Sequence, residues 1–182
     1  MMDRPAAAGS GTTLIRGADR VVAWDASAKS HIYLDCADVA FADGELGFVG
    51  RGYEGRAETV IDGRGLMVMP GLVDIHSHPS TEPMYRGLNE ELGSPGLYNS
   101  SLYEYMPIFR SDPESKPACT RVAYSEMLLS GVTTVADLSM PHEGWIELAA
   151  ESGLRVFIAP MFRSAGWRTD NGHVVAYDWD EK

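Results

Sequence analysis

The chain has 182 residues, of which 45% are hydrophobic, and 26 acidic against 15 basic side chains give it a formal net charge of −11. A surface this acidic repels polyanions, which excludes nucleic acid and anionic membrane as expected partners. The length suits one ordinary domain, or a small domain joined to part of a larger one.

Residues 1–11, "MMDRPAAAGSG", read as a flexible N-terminus and lack the apolar core of a secretory signal. No apolar run approaches the roughly 20 residues of a membrane span. Cys36 and Cys119 lie far apart and form no Cys-x-x-Cys pair. A disulfide framework is therefore not expected, and the expected compartment is the reducing cytoplasm.

Residues 12–69 read as short strands joined by tight turns, a β-sandwich segment or small antiparallel sheet. "TTLIRGADRVVAWD" suggests a strand, a Gly-Ala-Asp turn and a second strand. "DVAFADGELGFVG" carries Asp43-Gly44, a strong hairpin signal. Asp62-Gly63 marks another turn.

The pattern changes at Pro70. "GLVDIHSH" is a short apolar strand that ends in two histidines and a proline. A long polar segment follows from Pro79 to Lys116, with a short helix expected near Leu97 to Tyr105; connections of that length are usually functional. "PACTRVAYSEMLLSG" places Val122, Ala123, Met127, Leu128 and Leu129 at helical spacing, with Gly131 as the stop. "VTTVADL" is a second strand, "HEGWIELAAESG" a second helix closed by Gly153, and "LRVFIAPMF" a third strand. Such alternation predicts parallel strands joined by crossovers, an α/β architecture. The final stretch, "RSAGWRTDNGHVVAYDWDEK", reads as polar and irregular.

Residues two apart in a strand project to the same side. His76 and His78 therefore point together, and two imidazoles on one side can hold a divalent metal. The same pair is also compatible with solvated polar residues at a strand tip. Pro79 ends the strand because it cannot donate to a ladder. Asp74 shares the side of His76, where it can orient an imidazole or hydrogen-bond within the fold. Asp137 ends the second strand and reads as structural.

"MPGLVDIHSHP" resembles the first barrel strand of the amidohydrolase superfamily. "VIDGRG" before it and "EMLLSGVTTVADL" after it resemble two further segments of that superfamily, nearest the branch of cytosine deaminase and atrazine chlorohydrolase-like enzymes. The resemblance implies the start of a TIM (β/α)8 barrel over residues 70–182, preceded by a small β-sandwich. It implies a metal-dependent hydrolase acting on a C–N bond of a small molecule, whether amide, urea, carbamate or amidine. His76 and His78 are then metal ligands, with zinc expected and manganese, iron or cobalt compatible. Further histidines, an aspartate and in some members a carboxylated lysine come from later strands, and the aspartate moves the water's proton.

A complete barrel takes about 250 residues. Gly71 to Lys182 supplies three strands and neither a later histidine pair nor the late aspartate. The expectation is an N-terminal portion, inactive by itself, that needs the remaining barrel segment or a partner chain, and that is a homo-oligomer when complete. The alternative is a non-catalytic or split-enzyme subunit. Arg86, His142 and Trp167 are the candidate substrate contacts: Arg86 for an oxygen pair, His142 beyond the second strand, and Trp167 as an aromatic wall. For Arg86 a salt bridge to a neighbouring glutamate is the competing reading, and for His142 a surface position at a helix start. Tyr98, Tyr103, Tyr105, Phe109, Met84 and Met106 are candidates for pocket lining or for packing. His31 and His173 are candidates by residue type only.

Overall fold

The computed structural model describes residues 11–86, 111–169 and 175–179. The expected helix near Leu97 to Tyr105, the aromatics of that segment, Met106 and His173 lie outside them. The chain divides into two compact units, residues 1–70 and 71–182.

The first unit is one mixed sheet of five strands, with parallel as well as antiparallel pairs. Two long strands, β1 (Thr13–Asp25) and β2 (Ser30–Ala42), pair antiparallel, and β3 (Glu45–Gly50) follows on the far side of β2. Between β2 and β3, Asp43 and Gly44 take φ of +52° and +78°. Two positive φ values in succession are what a tight hairpin turn demands, and Asp-Gly supplies them cheaply. β4 (Thr59–Asp62) and β5 (Met67–Val68) both run parallel to β1, so Asp62-Gly63 starts a step along one edge and not a hairpin. The Arg64 guanidinium, bonded to Asp62, holds that carboxyl down to about 2.

The "GAD" of β1 is a bulge within one continuous strand. The register with β2 shifts between Ile15 and Ala18, and Gly17 sits at φ +65°. A bulge frees a backbone N–H from the ladder. Here the Gly17 N–H donates to Asp38 Oδ1 at 2.8 Å, and the Tyr53 N–H donates to Oδ2 at 2.9 Å. Ala18, Val21, Ala37 and Val39 form the apolar centre around this point.

The second unit is built on a three-stranded parallel sheet in the order β6–β7–β8, with β6 Leu72–Ser77, β7 Val132–Asp137 and β8 Arg155–Ile158. Helix α1 (Ser115–Leu129) connects β6 to β7, and α2 (Trp145–Glu151) connects β7 to β8. Gly131 and Gly153, at φ +82° and +81°, allow the chain to leave each helix in the left-handed region. The first residue of the "GLVDIHSH" strand is a glycine for a local reason. A Cβ at Gly71 would fall 2.2 Å from Thr133 Oγ1 on the neighbouring strand, closer than any real contact.

One face of this sheet packs on the helices through Tyr124, Val135, Ala149 and Leu154, with Met127, Val156 and Ile158 against them. The buried face of α1 is Cys119, Thr120, Ala123 and Tyr124. Val122, Leu128 and Leu129, expected in the core, are instead exposed. The sequence pattern misassigned the face because two of its buried members carry hydroxyls. The polar C-terminal stretch also departs from expectation: β9 (Ala165–Thr169) and β10 (Val175–Trp179) form an antiparallel pair.

Candidate metal centre

His76 is the next-to-last residue of β6, and His78 follows the strand by one residue. Their rings meet edge to face with centroids 5.0 Å apart, and the two Nε2 atoms converge to 3.1 Å. His76 is exposed and His78 half-buried, so the gap between the nitrogens opens to solvent.

The tautomers follow from the partners. His78 Nδ1 lies 2.5 Å from the carbonyl oxygen of Leu138, beyond the end of β7. A carbonyl only accepts, so Nδ1 carries the proton and Nε2 keeps its lone pair. In the pair as it stands, His76 Nε2–H donates to His78 Nε2. Two nitrogen ligands of a tetrahedral zinc, each at about 2.0–2.1 Å, stand roughly 3.3 Å apart. The observed 3.1 Å is close to that spacing. The donor set therefore fits a divalent ion, provided the His76 proton moves to its Nδ1. Among the described residues no group of three or more His, Cys, Asp or Glu side chains gathers at one point, so the pair supplies two positions only.

The backbone around the pair is fixed by carboxylates. His78 N–H donates to Glu82 Oε1 and Ser77 Oγ to Glu82 Oε2, each at 2.7 Å. Glu82 opens a short 3₁₀ turn, Glu82–Tyr85, and its carboxylate thus closes the bend after the strand. Asp74 accepts from the His76 backbone N–H at 3.0 Å, so it steadies the strand without touching the imidazole. Sequence reasoning missed Glu82 as a brace; a glutamate four residues after the second histidine was the available signal.

The other expected site residues are engaged elsewhere. Arg86 pairs with Glu126 of α1, the surface ion pair that competed with substrate binding in the sequence. With Asp74, Ser77, Glu82 and Met127 it lines a cleft of about 270 Å³ on the helix side of β6. His142 Nδ1–H donates to the Glu143 carbonyl at 3.0 Å, which leaves Nε2 to accept from Thr120 Oγ1 at 3.1 Å. Its ring stacks on Trp145 at 5.8 Å, and it stands half-buried before α2. Trp167 lies in β9 opposite Tyr177, and its side chain is outside the described set. His31 is exposed on β2 with its ring edge-on to Trp24. Met84 is 37% exposed beside Arg86.

Asp137 is the residue that the sequence undervalued. Its side chain is fully buried at the end of β7. Oδ2 accepts from Tyr124 Oη at 2.6 Å and from Trp145 Nε1 at 2.8 Å. Burial, and then the bond to this carboxylate, push the Tyr124 hydroxyl well above its usual range.

No protein-family model matches the chain. It is 31% identical over 129 residues to the 5-methylthioadenosine/S-adenosylhomocysteine deaminase of Thermococcus onnurineus, covering 68% of this chain and 28% of that enzyme. It is 27% identical over 121 residues to the 5'-deoxyadenosine deaminase of Methanosarcina acetivorans, covering 66% and 27%. The fold matches the zinc complex of atrazine chlorohydrolase from Arthrobacter aurescens TC1 with a TM-score of 0.64 at 25% identity, over 89% of this chain and 39% of that one. Guanine deaminase from C. acetobutylicum matches at a TM-score of 0.59 and 18% identity over 90% and 39%, a likeness of fold alone. The chain thus spans 27% and 28% of the length of these two curated relatives.

Proposed function

The chain belongs to the amidohydrolase superfamily, and on that premise we propose that it supplies the first two metal ligands of a hydrolase that breaks a C–N bond in a small molecule. The observation that carries the proposal is the convergence of His76 and His78 Nε2 to 3.1 Å at the carboxyl end of a parallel strand. That end of a βα unit is where barrel enzymes assemble their sites. His76 and His78 would hold a divalent ion there, which would supply an activated water near neutral pH and Lewis-acid polarisation of the carbon under attack. The chain's own contribution is positional. Leu138 holds the Nδ1 proton of His78, and Glu82 holds the backbone that presents both rings.

Zinc is the proposed metal, because imidazole suits it and because the atrazine chlorohydrolase neighbour was crystallised with it. Manganese, iron and cobalt remain compatible with the same donors. Among C–N hydrolyses, deamination of an adenosine-like substrate is the form favoured by the named relatives.

We further propose that the second unit is the opening of a TIM barrel, closed by further strands of the same or another polypeptide. Val73, Ile75 and Phe157 support this. They alternate with the helix-facing residues of β6 and β8 and are 63%, 80% and 67% exposed on the other face of the sheet. An apolar sheet face is normally covered.

Ammonia release from 5'-deoxyadenosine tests the reading. The 182-residue chain with zinc is expected to be inactive alone, and a protein joining it to the remaining barrel strands is expected to be active. In that longer protein, His78→Asn should abolish turnover. Undiminished turnover by the His78→Asn protein would exclude the proposed role of the pair.

A further inference from the structure

We infer that Asp137 is a positioning residue for His78, acting through the backbone of the adjoining Leu138, whose carbonyl faces His78 Nδ1. For its bearing on metal binding, this inference rests on the proposed function; the placement of the His78 proton stands on the geometry alone.

The Leu138 backbone is bonded on both sides. Its N–H donates to the Ser77 carbonyl at 2.8 Å, and its carbonyl accepts the His78 Nδ1–H. On one flank, the Asp137 carbonyl accepts from Ala159 N–H at 2.9 Å. On the other, Ser139 Oγ accepts from Ser80 N–H at 3.2 Å, and the Ser139 carbonyl accepts from Met161 N–H at 3.0 Å. These bonds hold the end of β7 within the sheet plane. The Asp137 side chain ties it to the helices by hydrogen bonds, through Tyr124 of α1 and Trp145 at the start of α2.

That tie is costly and therefore informative. A carboxylate buried without compensation is among the most expensive groups a fold can hold. Among the described residues, Oδ1 of Asp137 has no hydrogen-bond partner, so the carboxylate is only half satisfied. A purely structural link between helix and strand needs only a neutral acceptor. What the carboxylate adds is a strong, doubly donated anchor one residue from the carbonyl that selects the His78 tautomer. Removing the anchor unties the end of β7 from the two helices while its bonds within the sheet remain, and a displacement of that end moves the Leu138 carbonyl away from His78 Nδ1. Outer partners of ligating histidines are worth about 10–100-fold in metal affinity.

The test is ¹H–¹⁵N correlation of the histidine rings in the metal-free chain above pH 8, with zinc affinity measured by calorimetry on the same samples. Wild type is expected to show His78 as the Nδ1–H tautomer. Asp137→Ala is expected to show a mixture of tautomers and at least a tenfold loss of zinc affinity. Asp137→Asn keeps an oxygen for Tyr124 and Trp145 but loses the charge, and should give a smaller tautomer shift than Asp137→Ala. Leu154→Ala, which loosens the same helix–sheet packing, should lower stability without moving the proton. If Asp137→Ala does not fold, Trp145→Phe, which removes one of the two donors, should give an intermediate shift. A folded Asp137→Ala or Trp145→Phe protein with His78 still wholly Nδ1–H would overturn the inference. If wild type fails to bind zinc, the metal reading fails, while the tautomer result still decides this one.

Discussion

Gly71 and the histidines that follow it are governed by one constraint, the close approach of β6 to β7. Thr133 sits where a side chain on residue 71 would have to go. Gly71→Ala should therefore cost about 2 kcal/mol, the usual scale for forcing extra atoms into a packed site. Gly47→Ala is the control, since its new methyl meets only the Ala40 carbonyl at 3.8 Å. Chemical denaturation of the two variants checks this, and equal midpoints would contradict it. The pairing of His76 with His78 was legible in the sequence because strand periodicity alone sends them to one side. The partner that fixes the His78 proton was not legible. Leu138 lies 60 residues away and contributes a backbone carbonyl, a group that every residue carries.

At the scale of elements, the sequence showed strands and helices better than it showed how strands pair. Asp-Gly after β2 announced a hairpin, and the positive φ values at Asp43 and Gly44 are the physical reason. The Gly-Ala-Asp of β1 carried the same kind of signal but is a bulge, because Asp38 on β2 receives the N–H that the bulge releases. Nothing local distinguishes the two outcomes. The parallel placement of β4 and β5 along β1 is likewise a long-range result. The β9–β10 pair was hidden by charged residues, of which Arg168 and Asp178 form an ion pair across the strands.

The bulge makes a prediction about acidity. Burial works against the charged form of Asp38, but the N–H groups of Tyr53, Gly17 and Gly52 outweigh it and hold its pKa below the ordinary carboxylate value. The native pKa is thus lower than the unfolded one. The stability this contributes is fully present above about pH 4 and is lost as pH falls through the native pKa. Asp38→Asn should lower stability at pH 7 by about 1.5–3 kcal/mol, the scale of hydrogen bonds to a charged group. The gap between variant and wild type in urea should narrow below pH 4. A gap of the same size at pH 7 and pH 3 would contradict the role of the charge.

At the scale of the molecule, the second unit buries one face of its sheet and exposes apolar residues on the other. The sequence showed the three strands and their apolar character. It could not indicate which side chains would be left uncovered, because Val73, Ile75 and Phe157 look like core residues in any strand. Ile75→Thr and Phe157→Thr should change the stability of the 182-residue chain by no more than about 0.5 kcal/mol, the usual range for exposed positions. The same changes should reduce its association with a polypeptide that carries the remaining barrel strands. Strong destabilisation of the isolated chain by either substitution would show that the face is already covered.

The central claim is that His76 and His78 together hold one divalent ion. Zinc titration of the metal-free chain, followed by the ring resonances of its histidines, addresses it most directly. The account predicts saturation at one zinc per chain, with His76 and His78 shifting together, His31 unmoved, and binding lost in either His→Asn variant. Zinc that binds with both rings unshifted, or with wild-type affinity in the His76→Asn and His78→Asn proteins, would contradict it.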